Sequence, residues 1–328
     1  VSQRSPVITI VGSFAVGITL RVPRFPVPGE TLVGQDFDMG PGGKGSNQAV
    51  GTARLGAKSH LVAAIGQDSF GAMGVDLWNR EGVGLEHLAR LEDSYTGVGL
   101  ITLDLAGNNH IVIDLGANNR LAPADVERAE ALIAASDVVA AVLEIPLETA
   151  AKAMELARRH GVTALLNPAP AQPMPDAFLS YPDFLTPNES ELRVLCGLAP
   201  DDPTETLTLA RQLQSRGARN LIITRGSRGA LIVEESGAVT EVPSVPADVV
   251  DTTGAGDAFN SGLAVALSEG KSLIEAVYYA TGAGACACTR LGVIPALPTR
   301  QAVEAQMAPN SGESTSQNRG SSSLQFSA

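Results

Sequence analysis

Apolar positions along the chain fall into short unbroken runs separated by longer stretches in which they recur every three or four residues. Val7 to Val11 is β-branched throughout and ends in Gly12-Ser13, the pattern of a strand buried on both faces that delivers the chain into a loop. Leu61 to Ile65, Val138 to Leu143, Ala164 to Leu166 and Leu221 to Thr224 repeat it, while Leu147 to His160 and Thr206 to Arg216 carry helical spacing. The alternation predicts an α/β fold, a three-layer α/β/α sandwich whose parallel sheet begins at Val7. Two segments break the rhythm: Leu20 to Met39, with Pro23, Pro26 and Pro28, and Thr96 to Leu115, where β-rich stretches flank Gly107-Asn108-Asn109. They predict a small antiparallel β-flap, with lid segments at about 15–41 and 96–116, over the carboxyl edge of the sheet where open α/β folds bind ligands. One main domain then spans 1–307. The Ser-, Gly-, Asn- and Gln-rich segment 308–328 buries too little to offset its ordering entropy and is expected to be a disordered tail.

Composition narrows the function. With 328 residues, 44% of them hydrophobic, the chain fills a full core. A formal charge of −12, with the basic residues scattered, leaves no surface for a phosphate backbone, so nucleic acid is not expected as a partner. Cys196, Cys286 and Cys288 are too few for a disulfide framework, and Cys286-x-Cys288 without a nearby His is a poor zinc site; both are read as small core residues. No stretch is long and apolar enough to span a bilayer, and Val1 to Pro6 lacks the apolar run of a secretion signal. The expectation is a cytoplasmic protein with no membrane partner.

Chemistry concentrates in two strings. In Asp251-Thr252-Thr253-Gly254-Ala255-Gly256-Asp257-Ala258-Phe259-Asn260, small residues lead straight into a helical run. Unpaired amides at a helix start, on the positive end of its dipole, make Gly254 to Asp257 an anion pocket. An aspartate facing that pocket is placed to take a proton from an attacking hydroxyl; alone, Asp257 would equally be an ordinary first-turn acid. In Gly40-Pro41-Gly42-Gly43-Lys44-Gly45-Ser46-Asn47-Gln48-Ala49, glycines allow close approach to backbone while Lys44 and Asn47 offer polar groups to hydroxyls. This is not a Walker loop, because Asp38 and Gly45 stand where that pattern needs Gly and Ser or Thr, and no Gly-x-Gly-x-x-Gly fingerprint supports a dehydrogenase.

Together the strings resemble the paired signatures of the ribokinase-like sugar kinases, the phosphofructokinase-B type carbohydrate kinases. The resemblance covers about residues 7 to 300, with Asn167-Pro168-Ala169-Pro170, Thr186-Pro187-Asn188-Glu189-Ser190-Glu191 and Thr224-Arg225-Gly226-Ser227-Arg228-Gly229 in the family's order. It implies ATP-dependent phosphorylation of a sugar or polyol, with Asp257 as general base and Gly254, Ala255 and Gly256 stabilising the transferred group. Gly43, Lys44, Gly45, Asn47 and Glu144 would contact the acceptor. Asn188, Thr224, Gly226, Ser227, Arg228, Gly229, Gly256 and Thr281 would line the nucleotide site, and Glu191 would organise magnesium indirectly. Without the family, Asn188-x-x-Glu191 reads as a helix capping box and Glu144 as a cap for the next turn. The resemblance also implies K+ held mainly by carbonyls of Asp251, Thr253, Ala287, Arg290 and Gly292, and a homodimer through the lid. Alternatives are a nucleoside kinase of the same fold or a non-catalytic sugar-binding regulator.

The chain departs from the family twice. Ala296 replaces a serine that would add an oxygen to the cation site. Ala15 and Gly17 replace the Asn and Asp that hold pentose hydroxyls, so ribose is expected to be a poor acceptor, with Phe14 or Met39 as an apolar wall for a bulkier one and Ser13, Asp38 or a water as the route by which ribose would still be held.

Overall fold

The computed structural model describes residues 4–106 and 108–308; Gly107, and all of the expected tail 308–328 except Ala308, lie outside the described residues. The strands are β1 (Val7–Val11), β2 (Ala15–Arg21), β3 (Gln35–Gly42), β4 (Lys58–Gly66), β5 (Gly84–Leu91), β6 (Gly97–Leu103) and β7 (Asn109–Asp114). There follow β8 (Val138–Val142), β9 (Thr163–Asn167), β10 (Phe184–Leu185), β11 (Asn220–Thr224), β12 (Ala230–Val233) and β13 (Val239–Val242). Helices α1 (Lys44–Arg54), α2 (Ser69–Glu81), α3 (Pro123–Arg128), α4 (Glu130–Ala134), α5 (Leu147–Arg159) and α6 (Asp176–Leu179) precede α7 (Glu189–Leu195), α8 (Thr206–Ser215), α9 (Ala255–Ser268), α10 (Leu273–Ala287) and α11 (Arg300–Met307).

The main sheet runs β13-β12-β11-β10-β9-β8-β1-β4-β5. Its unbroken apolar strands are buried because helices cover both faces: Val138 and Ala140 of β8 enter one core with α9 and α10, while Val139 and Ala141 enter another with α5 and α8. The expected parallel sheet holds from β5 to β11 and turns antiparallel at β11–β12–β13. That hairpin was missed because β12 and β13 are only four residues each.

The flap is a separate sheet, β3-β2-β6-β7, and its arrangement corrects the antiparallel expectation: β2 pairs β3 antiparallel but β6 parallel, and β6 pairs β7 antiparallel. The proline-rich stretch after Arg21 forms no strand and instead connects β2 to β3. Val16 and Ile18 turn inward against the core, so Ala15 and Gly17 occupy the opposite face. Phe14 is fully buried, edge-on to Trp78 at 4.9 Å, and Met39, itself exposed, pairs with Ile18 on the side of the flap sheet opposite Gly17. Neither residue walls the face that Gly17 presents, contrary to the sequence expectation.

Asp68 ties the flap to the sandwich. It caps α2 by accepting from the Gly71 amide at 2.8 Å, and accepts both the hydroxyl (2.7 Å) and the amide (2.8 Å) of buried Thr96, which leads into β6. Burial pushes its carboxyl up, but these donors outweigh burial and hold it below the ordinary aspartate value. Asp68→Ala should therefore lower stability by about 1–2 kcal/mol, the range for a lost helix cap. A depressed carboxyl contributes fully above its unfolded value, near 4, and the contribution fades as pH falls through the folded value. Urea unfolding of parent and variant should show a constant gap above about pH 5 that narrows below about pH 4.

Candidate active site

Helix α1 crosses directly over the end of β1. The Ser46 amide donates to Ser13 O at 2.8 Å, and a Cβ on Gly45 would lie 2.3 Å from the Ser13 nitrogen, so only glycine lets the two segments approach so closely. Gly43, at φ 87°, makes the turn from β3 into the helix. Glu144, just past β8, closes this corner: its Oε2 accepts the Ser13 hydroxyl at 2.5 Å and the Lys44 amide at 2.8 Å. Ser13 is thus engaged with Glu144 and does not stand free beside Ala15 and Gly17.

Asp257 sits in the first turn of α9, after Gly254 in the left-handed conformation (φ 81°). It is only 4% exposed. Asn47 donates through Nδ2 to its Oδ2 at 2.8 Å, and Gln48 through Nε2 to its Oδ1 at 3.3 Å. Because a carboxylate only accepts, this fixes the Asn47 amide orientation and leaves its buried Oδ1 without a partner. A buried acceptor in that state is available to a donor such as a hydroxyl.

The corner is densely charged. The Lys44 ammonium is held above its ordinary value by Asp257 first, with Glu144 and Glu191 adding, against the opposing effect of burial. Burial pushes Glu144 up, with Lys44, the Ser13 hydroxyl and the Lys44 amide pulling the other way. Glu191 is likewise pushed up by burial.

The residues expected at the nucleotide lie just past β10, at and after the end of β11, and on α9 and α10. Asn188 bridges to Thr224, whose amide donates to Pro187 O at 3.0 Å. Gly226 and Gly229, at φ 56° and 78°, bracket the turn holding Ser227 and Arg228, and Arg228 pairs with Glu189. Asn188 and Glu191 form the reciprocal capping box of α7, so the reading from spacing alone is realised in the fold. Thr281, on α10, donates to Tyr278 O at 2.7 Å and lies beside Pro243. At the anion pocket, the Ala255 amide turns back to Thr252 O at 3.2 Å, which leaves the amides of Gly256 and Asp257 at the open helix end.

The two segments expected to hold a cation are stitched together. Val250 and Asp251 donate their amides to Cys288 O, and the Gly292 amide donates to Asp251 Oδ2 at 3.0 Å. Burial pushes Asp251 up, yet the Thr253 hydroxyl and amide and the Gly292 amide hold it below the ordinary value. Cys286 and Cys288 are half-buried at the end of α10, a correction to the expectation of core residues.

Residues 7–300 match the pfkB family carbohydrate kinase pattern. This chain belongs to the pfkB carbohydrate kinases. It is 38% identical over 294 residues to a ribokinase of Haemophilus influenzae, covering 90% of this chain and 96% of that protein. Among solved structures, a ribokinase from Thermotoga maritima superposes with a TM-score of 0.84 at 35% identity, covering 92% of this chain and 99% of that one. A ribokinase from Arabidopsis thaliana complexed with ribose and ATP gives 0.85 at 28% identity, with the same coverage.

In this pfkB fold, Lys44, Asn47, Glu144 and Asp257 come together as expected, and the structure adds Gln48, Ser13 and Asn167. Gln48 was legible as the neighbour of Asn47, but only the fold shows that successive residues of α1 reach the two oxygens of one carboxylate. Gly45→Ala should lower stability by about 1–3 kcal/mol, as overpacking does, and weaken acceptor binding; urea unfolding and calorimetric titration measure the two effects.

Proposed function

We propose that this pfkB kinase transfers the γ-phosphoryl group of ATP to a hydroxyl of a sugar or sugar-like alcohol, with Asp257 taking the proton. The observation that carries the reading is the buried Asp257 carboxylate, bonded on both oxygens and set beside the open amides at the start of α9. The acceptor oxygen attacks the γ-phosphorus as its proton passes to Asp257, and the bond to the β–γ bridging oxygen breaks to release ADP. Lys44, Asn47 and Glu144 hold the acceptor, and the Gly256 and Asp257 amides steady charge on the group in transit. Glu191 and Asn188, joined in their capping box, would organise a magnesium ion accompanying ATP, which would supply charge neutralisation.

Carbonyls of Asp251, Thr253, Ala287, Arg290 and Gly292 would hold a potassium ion, a reading supported by the Gly292–Asp251 bond that joins two of the segments carrying them, although Ala296 supplies no side-chain oxygen. A dimer through the lid is supported by the adjacent row Met39, Ile18, Leu100 and Val112, three members of which are exposed apolar side chains. Activity in the cytoplasm accords with three free cysteines; no helix among the described residues is long and apolar enough to cross a membrane.

The acceptor is a sugar other than free ribose. Ala15 and Gly17 face away from the core with no hydrogen-bonding side chain, and above Gly17 the nearest groups to a Cβ are Ile101 at 3.5 Å and Gly40 O at 3.8 Å. That open face also favours a second reading, a nucleoside acceptor, whose base would occupy it.

Asp257→Asn should reduce turnover by about two to four orders of magnitude, the span assigned to a positioned base, while ATP and acceptor binding stay nearly intact. Coupled ADP release reads this directly, and a rate within a few-fold of the parent would remove Asp257 from the role. In a panel of pentoses, hexoses, polyols and nucleosides, ribose should rank below another acceptor. The double change Ala15→Asn with Gly17→Asp should then raise kcat/KM for ribose, each restored contact contributing on the order of 1 kcal/mol. A parent enzyme that prefers ribose to every other member would sink the specificity reading.

A further inference from the structure

The buried face of α1 carries a polar side chain that neither substrate site uses. Gln48 is fully buried, and its amide nitrogen donates to Oδ1 of Asn167 at 3.1 Å as well as to Oδ1 of Asp257. The orientation is forced. Asn167 gives its own Nδ2–H to the carbonyl of Thr186, which can only accept, so its Oδ1 faces Gln48; facing that oxygen and a carboxylate, Gln48 must present its NH2. On the far side the Thr186 hydroxyl donates to Asn260 Oδ1 at 2.6 Å, and Asn260 Nδ2 donates to the carbonyl of Gly256 at 2.8 Å.

This string of bonds starts on the carboxylate of Asp257 and closes on the residue that precedes it in the chain. It links α1, the end of β9, the segment after β10 and the first turn of α9. Such polar side chains in a core are unfavourable unless each is paired, and here each bond dictates the orientation of the next.

We propose that Gln48 is a positioning residue for phosphoryl transfer. With Asn47 on one oxygen and Gln48 on the other, the carboxylate plane of Asp257 is clamped, and its remaining lone pairs face the acceptor hydroxyl. Gln48 acts through Asp257, so the inference rests on the reading of Asp257 as the base. A base free to swing out of line loses rate while the substrates still bind.

The test measures kcat and KM for the best acceptor in Gln48→Met, which keeps the side chain's length and removes its amide, in the parent and in an Asp257→Asn background. In the parent, kcat should fall about 10- to 100-fold with KM changed less than about twofold. In the Asp257→Asn background the further loss should be less than about threefold, because no carboxylate remains to be aligned. Asn167→Ala leaves Gln48 in place without the group that orients it; it should show the same pattern with a smaller loss, and it decides the question if Gln48→Met does not fold. Equal losses in both backgrounds, or a loss carried by KM, would reduce Gln48 to a packing residue while leaving the base assignment standing. Parental turnover in Asp257→Asn alone would instead overturn the base assignment, and the positioning role with it.

Discussion

Everything at this site depends on keeping an ionisable carboxyl buried at the junction of two helices. Asp257 is 4% exposed, and an unpaired charge at such a place would be expelled or neutralised. Two amides from α1 and the ammonium of Lys44 hold it. That requirement fixes the surrounding fold. Helix α1 must start directly on the end of β1, which requires Gly45, and α9 must start beside it, which requires the left-handed turn at Gly254. The glycines that look like flexible punctuation in the sequence are sites of close approach between backbone segments.

The sandwich was legible because its strands are uninterrupted apolar runs and its helices carry a clear period, both consequences of burial on two faces. The lid was legible only as an interruption. Its mixed topology depends on β2 and β6 lying side by side in parallel although their partners, such as Ala15 and Gly97, are more than eighty residues apart, and no local pattern encodes that pairing. The two chemical strings announced Lys44, Asn47 and Asp257. Glu144 and Asn167 lie at ends of apolar strands where one polar residue is easily read as a cap, and the bonds that join them to the strings run across 100 and 119 positions.

The two sides of the acceptor space have different characters. The floor is polar and over-determined: Glu144 is held by Ser13 and the Lys44 amide, and Asp257 by Asn47 and Gln48. The lid side at Ala15 and Gly17 has no hydrogen-bonding side chain, and its backbone is engaged in the sheet ladder. Discrimination by hydroxyl count is strong only where buried groups would be left unpaired. On the proposed reading that discrimination would reside in the floor, whereas the lid would select by shape.

The same charge balance accords with a proposed nucleotide end built from backbone. Asp257, Glu144 and Glu191 together hold the Lys44 ammonium above its ordinary value, and two of these three carboxyls are pushed up by burial. A polyphosphate brought into that corner would meet repulsion from its neighbours. The opening turn of α9 offers the alternative: amides and a helix dipole stabilise an anion without adding a titratable group that the carboxyls would claim as a partner. Asp257, three residues past the cap of that helix, lies where the two regimes meet. On the proposed reading its side chain belongs to the polar floor and its amide to the anion pocket, so one residue would set the distance between the hydroxyl that attacks and the phosphoryl group that is transferred.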